Sequence, residues 1–427
     1  MREMRDSGVE WIGEIPKDWN CCKQKYRFTL INGRAFKDNE FEEDGTYRIL
    51  RVGNLFSNPV WYSSSLELEP DKYCEKGDLI YAWSMSYGPY IWNEEKVIYH
   101  YHIWKTKLVS DMDKMFSYYY LQALTESIKS QTHETTMGFV TMGIMNNSYI
   151  AYPRNIKEQK KISDYLDAKC SKIDEIIEKQ LSIIEKLKEY KISIITEVVT
   201  KGLDYEVDYK ESGTEWLGKI PSHWQYLSFK NVLKERNEKN FPVKTAERLS
   251  LSIDKGVTLY SEKTTNLDRF KDDVSQYKLA HEGDFVLNSM NMIVGAVGIS
   301  HYFGCVSPAY YTYYDNEEDH ITAKYCDYLF HSKTVKKVLH SLGKGIMSID
   351  RGDDRINTCR LKVSRTDLRA LKIPVPPICE QREIVKYLQS KENLIDKTIA
   401  DRNKAIDKFQ EYKKSLIYEV VTGKKEV

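Results

Sequence analysis

No run of 18 apolar residues occurs in this chain, so no segment reads as a membrane-spanning helix. The opening MREMRDSGVE lacks the apolar core of a secretory signal, and a cytoplasmic protein is expected. The eight cysteines are scattered, with only Cys21 and Cys22 adjacent and no C-x-x-C. That excludes a spaced zinc site and gives no disulfide framework; free thiols in a reducing compartment are expected. Neither charge sign dominates: 64 Lys+Arg face 63 Asp+Glu, net +1, so bulk charge names no partner. Catalytic signatures are missing too. There is no Asn-Pro-Pro-aromatic and no Gly-rich cofactor loop after a strand, as an amino-methyltransferase needs. Gly343-Lys344-Gly345 lacks the Lys-Ser/Thr spacing of a phosphate loop, and no His-Glu-x-x-His occurs. His100 and His102 alternate on a Tyr-rich strand, which reads as packing or surface rather than metal ligation. Pro70-Asp71 with Glu94-x-Lys96 matches a loose metal-dependent nuclease pattern. At the repeat offset described below, however, Asp71, Glu94 and Lys96 map to Tyr277, Ser300 and Tyr302.

What is present is a long amphipathic stretch, 156–202, free of Pro and Gly between Glu158 and Lys201. Leu166, Cys170, Ile173, Ile177, Ile184, Leu187, Ile194 and Val198 fall on alternating steps of four and three, the seam of a helix pair. Gln180 and Lys191 are its polar breaks. Such a helix is roughly 60 Å long. The stretch recurs 222 residues later: Leu388, Glu392, Ile395, Ile399, Ile406, Phe409, Leu416 and Val420, with breaks at Arg402 and Lys413. Glu158-Gln159 returns as Glu380-Gln381, Tyr190-Lys191 as Tyr412-Lys413, and Glu197-Val198-Val199-Thr200 as Glu419-Val420-Val421-Thr422.

The rest of the chain is doubled as well. DSGVEWIGEIPKDW (6–19) returns as ESGTEWLGKIPSHW (211–224), which reads as a packing clasp with Trp11 and Trp19 as anchors and Gly13 and Pro16 fixing its turns. Glu75 to Ile80 parallels His281 to Val286 around a shared Gly-Asp, at an offset of 206. Between clasp and helix lie mixed segments. Tyr47–Val52, Asp78–Trp83 and Lys96–Leu108 read as strands in the first, with a helix near Lys114–Lys129. Asp284–Leu287 and Val306–Tyr314 read as strands in the second, with a helix over Ala323–Leu342. The expected order is domain 1–155, helix 156–202, domain 203–377, helix 378–427, a tandem duplication. Prolines at 153 and in Pro374-Val375-Pro376-Pro377 deliver each chain segment into its helix. The two domains share a frame and differ inside it, as expected of two similar domains reading two different things.

Trp-x-Gly-x-Ile-Pro-x-x-Trp at each domain start, a mid-domain Gly-Asp, and Pro-x-x-Glu-Gln opening a long helix form one ordered, doubled set. It resembles the specificity subunit of type I restriction–modification systems, over essentially the whole chain. The second copy, Pro374 to Gln381, fits best; the first keeps only Pro153. The resemblance implies a mixed α/β (α+β) fold with two target-recognition domains in tandem. Two long helices separate them, forming an antiparallel coiled coil with pseudo-twofold symmetry. It implies a non-catalytic subunit that binds double-stranded DNA, each domain reading one half of a bipartite target while the helices set the gap. The partners implied are two modification (methyltransferase) subunits carrying S-adenosylmethionine and restriction subunits using ATP and Mg, with no membrane. A structural coiled-coil adaptor without DNA recognition is the competing reading.

Charge tempers the DNA expectation. Residues 1–155 carry 18 basic and 21 acidic side chains and 203–377 carry 25 and 24. A neutral chain binds duplex weakly by itself, so base-edge contacts matter more than phosphate neutralisation. Basic candidates cluster early in each domain: Lys23, Lys25, Arg27, Arg34 and Lys37, then Lys230, Lys234, Arg236 and Lys239. Polar candidates follow the Gly-Asp strands: Trp83, Ser84, Ser86 and Tyr87, then Asn288, Ser289 and Asn291. A further loop, 343–355, offers Lys344, Ser348, Arg351 and Arg355, with 135–147 as its first-domain counterpart. The helix-pair candidates are Leu166, Ile173, Ile177, Ile184, Leu187 and Ile194 with Leu388, Ile395, Ile399, Ile406, Phe409 and Leu416.

Overall fold

The structure is a computed structural model that describes residues 2–56, 58–84, 86–131, 138–262, 273–345 and 361–427. Two compact units emerge: Met1–Leu181 with Asn403–Val427, and Ser182–Arg402. The long helices α3 (Ile156–Lys201) and α7 (Ile378–Val421) each contribute residues to both units.

In the first unit a hairpin of Met4–Asp6 and Glu14–Pro16 opens the chain, and Asn20–Lys23 pairs with Tyr149–Tyr152. A four-stranded antiparallel sheet runs in the order Phe28–Asn32, Ile103–Leu108, Leu79–Ala82, Gly88–Ile91. A second sheet orders Tyr62–Ser64, Tyr47–Leu50, Val97–Tyr99 and Tyr73–Cys74, its middle pair parallel. Helix α1 (Lys114–Gln131) buries Phe116, Tyr120, Leu124 and Ile128, spaced four apart and so on one face. They share a core with Trp19, Phe28, Tyr81 and Trp104. Into the same core α3 sends Leu166 and Ile173, and α7 sends Leu416 and Val420. The short helix α2 (Met142–Asn147) follows its cap Thr141, whose hydroxyl accepts from Ile144 N at 3.2 Å.

The second unit repeats the plan. Its hairpin is Tyr209–Glu211 with Lys219–Pro221, and Gln225–Ser228 pairs with Lys372–Val375. The four-stranded sheet orders Lys234–Glu235, Tyr310–Tyr314, Phe285–Asn288, Val297–Ile299. Two further pairs are Leu249–Ser252 with Gly256–Leu259 and Lys278–Ala280 with Gly304–Val306. Helices α4 (Ile321–His331), α5 (Lys333–Leu342) and α6 (Arg365–Ala370) complete it. Its core joins Trp224, Phe229, Phe285, Tyr313 and Phe330 to Ile194 and Val198 of α3 and Ile384 and Leu388 of α7.

In the first unit the start of α3 lies with the end of α7; in the second, the end of α3 lies with the start of α7. The pairing is antiparallel within each. Leu166, Ile173, Ile184, Ile194, Leu388, Ile395, Ile406 and Leu416 are buried, and Ile177, Leu187, Ile399 and Phe409 half-buried. The two lysine breaks are ion-paired: Lys413 with Asp174 at 2.7 Å, and Lys191 with Asp396 at 2.9 Å and Glu392 at 3.2 Å.

Three segments expected to be continuous are broken, each for a local reason. The helix expected over Ala323–Leu342 is two helices, because Ser332 turns extended and its hydroxyl caps α5 through Val335 N. Val306–Tyr314 splits at Pro308, and Lys96–Leu108 splits at a turn over residues 100–102. His100 and His102 therefore sit in a turn and do not share a strand face.

Candidate nucleic-acid interface

The repeated landmarks are structural first. In the clasps, Trp19 Nε1 donates to Glu158 Oε1 at 3.2 Å and Trp224 Nε1 to Glu380 Oε1 at 3.0 Å. Gln159 and Gln381 donate to the carbonyls of Pro153 and Pro376, each at 2.9 Å. Each Glu-Gln pair thus holds a clasp with one side chain and its own helix entry with the other. The Gly-Asp motif is a turn. Gly77 and Gly283 are left-handed at φ +91° and +84°, and a Cβ on Gly283 would sit 2.2 Å from the His320 ring. The following Asp closes the turn: Asp78 accepts from Glu75 N and Asp284 from His281 N, both at 2.8 Å. Each Asp also pairs with a cation from the same sheet or from the loop just past one of its strands. Lys105 lies 2.7 Å from Asp78, and Arg236 grips Asp284 at 2.6 and 3.0 Å.

That places Arg236 as a structural partner, with Asp284 wholly buried beneath it. Other basic candidates are also committed. Arg34 forms a two-toothed pair with Glu40 at 2.6 and 3.1 Å, which holds the Glu40 carboxyl below its usual range. Lys234 reaches Asn316 at 3.3 Å and Lys344 reaches Asp367 at 3.2 Å. Lys37 is exposed at the head of a short turn.

Among the polar candidates, Trp83 is a packing residue. It stacks on Trp104 at 5.9 Å and donates to the Tyr101 carbonyl at 2.7 Å. Tyr87 lies under Lys129 at 5.4 Å, on the wall of a cavity of about 460 Å³ shared with Tyr90 and Tyr118. Ser289 is fully buried, which corrects its assignment as a base reader. Asn288 folds its carboxamide onto Met290 N at 3.1 Å. Ser86 and Asn291 stay exposed, and Ser84 is half-buried. Ser348, Arg351 and Arg355 lie outside the described residues.

The candidate loops nonetheless converge. Val140 N donates to the Trp83 carbonyl at 2.8 Å, and Val363 N to the Ser289 carbonyl at 3.0 Å. So in each unit the loop after the Gly-Asp strand is tied to the loop preceding the return to the helix. The surfaces so built differ: Ser84, Ser86 and exposed Phe139 in one, Met290, Asn291 and Val294 in the other. Against the nuclease reading, Glu94 pairs with Arg48 at 2.9 Å and Lys96 with Glu75 at 3.2 Å. Among the described residues no group of three or more His, Cys, Asp or Glu is placed to hold a metal. No helix among them is long and apolar enough to cross a membrane.

Comparison with known proteins settles the family. The model of the type I restriction modification DNA specificity domain matches residues 16–194 and again 221–408. The chain belongs to that family. Its function is DNA sequence specificity. Two curated relatives come from Methanocaldococcus jannaschii. The type I restriction enzyme MjaVIII specificity subunit is 24% identical over 73% of this chain and 70% of its own length. The putative MjaX specificity subunit is 24% identical over 97% of this chain and 95% of its own. A solved chain, from work on complex assembly and conformational transition of the type I restriction–modification system, shares the fold. Its TM-score is 0.66 at 13% identity, covering 95% of this chain and 98% of that one.

Proposed function

We propose that each unit reads one half of a bipartite DNA target and that α3 and α7 set the unspecified gap between the halves. The observation that carries this reading is the repeated frame with unlike loops: the same ties close the loop pair in both units, and the exposed side chains they carry differ. The chain itself does no chemistry in this reading. Two modification subunits bring S-adenosylmethionine and methylate adenine, and restriction subunits bring ATP and Mg.

A repeated partner is supported by the helix surfaces. Most positions exposed on both helices have diverged, as in Asp164 and Lys386, Glu175 and Lys397, Lys179 and Asp401. Six exposed positions have not. Ile156 and Ile378 open the helices, and Asp174 and Asp396 are ion-paired to Lys413 and Lys191. The other four cluster: Lys186, Glu189, Tyr190 and Ser193 return as Lys408, Glu411, Tyr412 and Ser415. Steps of three and four put them on one face of each helix. Tyr190 and Tyr412 are 52% and 54% exposed, too open to be kept by packing. A face retained twice fits one partner bound twice.

Deleting one heptad from each helix should change the gap and leave both half-sites intact, read by sequencing methylated adenines. A change in the half-site sequences would contradict the spacer role. No observation favours the adaptor reading.

A further inference from the structure

One cluster in the first unit lies outside the repeated frame and meets the candidate loop only at Trp83. The turn His100-Tyr101-His102 joins the strands Val97–Tyr99 and Ile103–Leu108. His100 N donates to the Leu50 carbonyl at 2.9 Å, which brings the next residue, Arg51, alongside. The rings crowd: His100 to His102 at 4.8 Å, Tyr101 to His102 at 4.0 Å, Trp83 to His102 at 4.9 Å. Trp83 Nε1 locks the turn through the Tyr101 carbonyl. Arg51 is exposed, its guanidinium 4.9 Å over the Tyr62 ring, and it makes no ion pair among the described residues.

Among the described residues, two imidazoles and a guanidinium gather here with no acid among the groups that shift them, an unfavourable grouping that packing alone does not call for. Burial, His102 and Arg51 push the His100 imidazole down to about 4, and burial and Arg51 lower His102. No carboxylate is among the groups that shift either ring. A neutral imidazole keeps one N–H donor and one acceptor nitrogen. The cluster therefore offers directed donors with no carboxylate among its own groups to take them. In the second unit the corresponding turn is Ser307-Pro308-Ala309, without rings or charge. The cluster is thus specific to one domain, as a reading surface is and a frame element is not.

We propose that Arg51, His100 and His102 form a base-reading notch for the acceptor edge of a guanine in one half of the target, walled by Tyr101 and Trp83. Guanine presents O6 and N7 side by side in the major groove, the pair that an arginine fork with a neighbouring N–H donor matches. This rests on the DNA-specificity reading above, and the test separates the two.

The test uses the complex assembled with its modification subunit. Methylated adenines are sequenced for the wild type and for Arg51→Ala, Arg51→Lys and His102→Gln. Arg51 is exposed, so its variants report recognition rather than folding. Arg51→Lys keeps the charge and loses the fork, and should behave as Arg51→Ala does. The expected result is one G·C position relaxed in one half-site, with discrimination there falling on the order of tenfold or more. The other half should not change. An unaltered target in both Arg51 variants would overturn the notch, as would a first-unit half-site without a G·C pair. A wild-type complex that assembles and yields no split target would instead overturn the reading on which the notch depends.

Discussion

At the scale of single residues, the structure separates candidate side chains committed to internal contacts from those left exposed for the proposed recognition surface. Arg236 and Asp284 belong to the first class. Replacing Arg236 with Ala strands a buried carboxylate, at a cost of about 3–5 kcal/mol. Chemical denaturation should show that loss, and methylation of the target should fail as a whole rather than change in sequence. Asn291 belongs to the second class: it is exposed, so Asn291→Ala should cost within about 0.5 kcal/mol and alter only base preference. His100 adds a pH signature. Its folded value near 4 lies below the ordinary 6.5, so between these values the unfolded chain binds more protons. The His100 contribution should lower the stability of the first unit as pH drops from 6.5 toward 4, and should itself level off below. In His100→Asn the slope over that window should flatten, measured by thermal melting. The residue types expected to read bases were legible in sequence; their availability was not. Ser289 and Arg236 match a base-reading composition as well as Asn291 does, and only tertiary burial and the ion pair with Asp284 set them apart.

At the scale of elements, the helix pair was the most legible feature, because a seam of steps three and four is a local property of the chain. What the pattern did not reveal is why Glu-Gln opens each helix. The Glu partners a tryptophan more than a hundred residues away in sequence, in both units. The broken segments were missed because Ser332 and Pro308 act over two or three residues inside longer runs of suitable composition. Gly202 ends α3 at φ +81°, where a Cβ would come within 2.9 Å of Glu380 Oε1. Gly202→Ala should therefore destabilise the second unit by on the order of 1 kcal/mol or more, measured by denaturant midpoint. The seam cations offer a sharper check. Lys191→Glu should weaken the helix pair, and Asp396→Lys in the same chain should restore part of the loss. A coupling energy of about 0.5–1 kcal/mol is expected from a double-mutant cycle. Tyr190→Ala or Tyr412→Ala should each remove one bound modification subunit, seen in native mass spectrometry as a fall from two copies to one. Retention of both copies in the double variant would assign the repeated face another role.

At the scale of the whole molecule, the duplication is what the sequence displayed most openly, and the family model matches it twice. Clasp, Gly-Asp turn and helix entry recur with the same hydrogen bonds, so the frame is one solution used two times. The near-neutral charge has its counterpart in Arg34, Lys234, Arg236 and Lys344, whose cationic groups are engaged within their own unit. On the proposed reading, a chain built this way supplies sequence discrimination and would leave much of the phosphate clamp to its partners. The central claim is that each unit reads its own half of the target. It is tested most directly by sequencing methylated adenines made by the complex, once with this chain and once with residues 225–377 replaced by those of another family member. The account predicts a split target with two short defined halves, only one of which changes on replacement. Loss or change of both halves, with the complex shown to assemble, would contradict it.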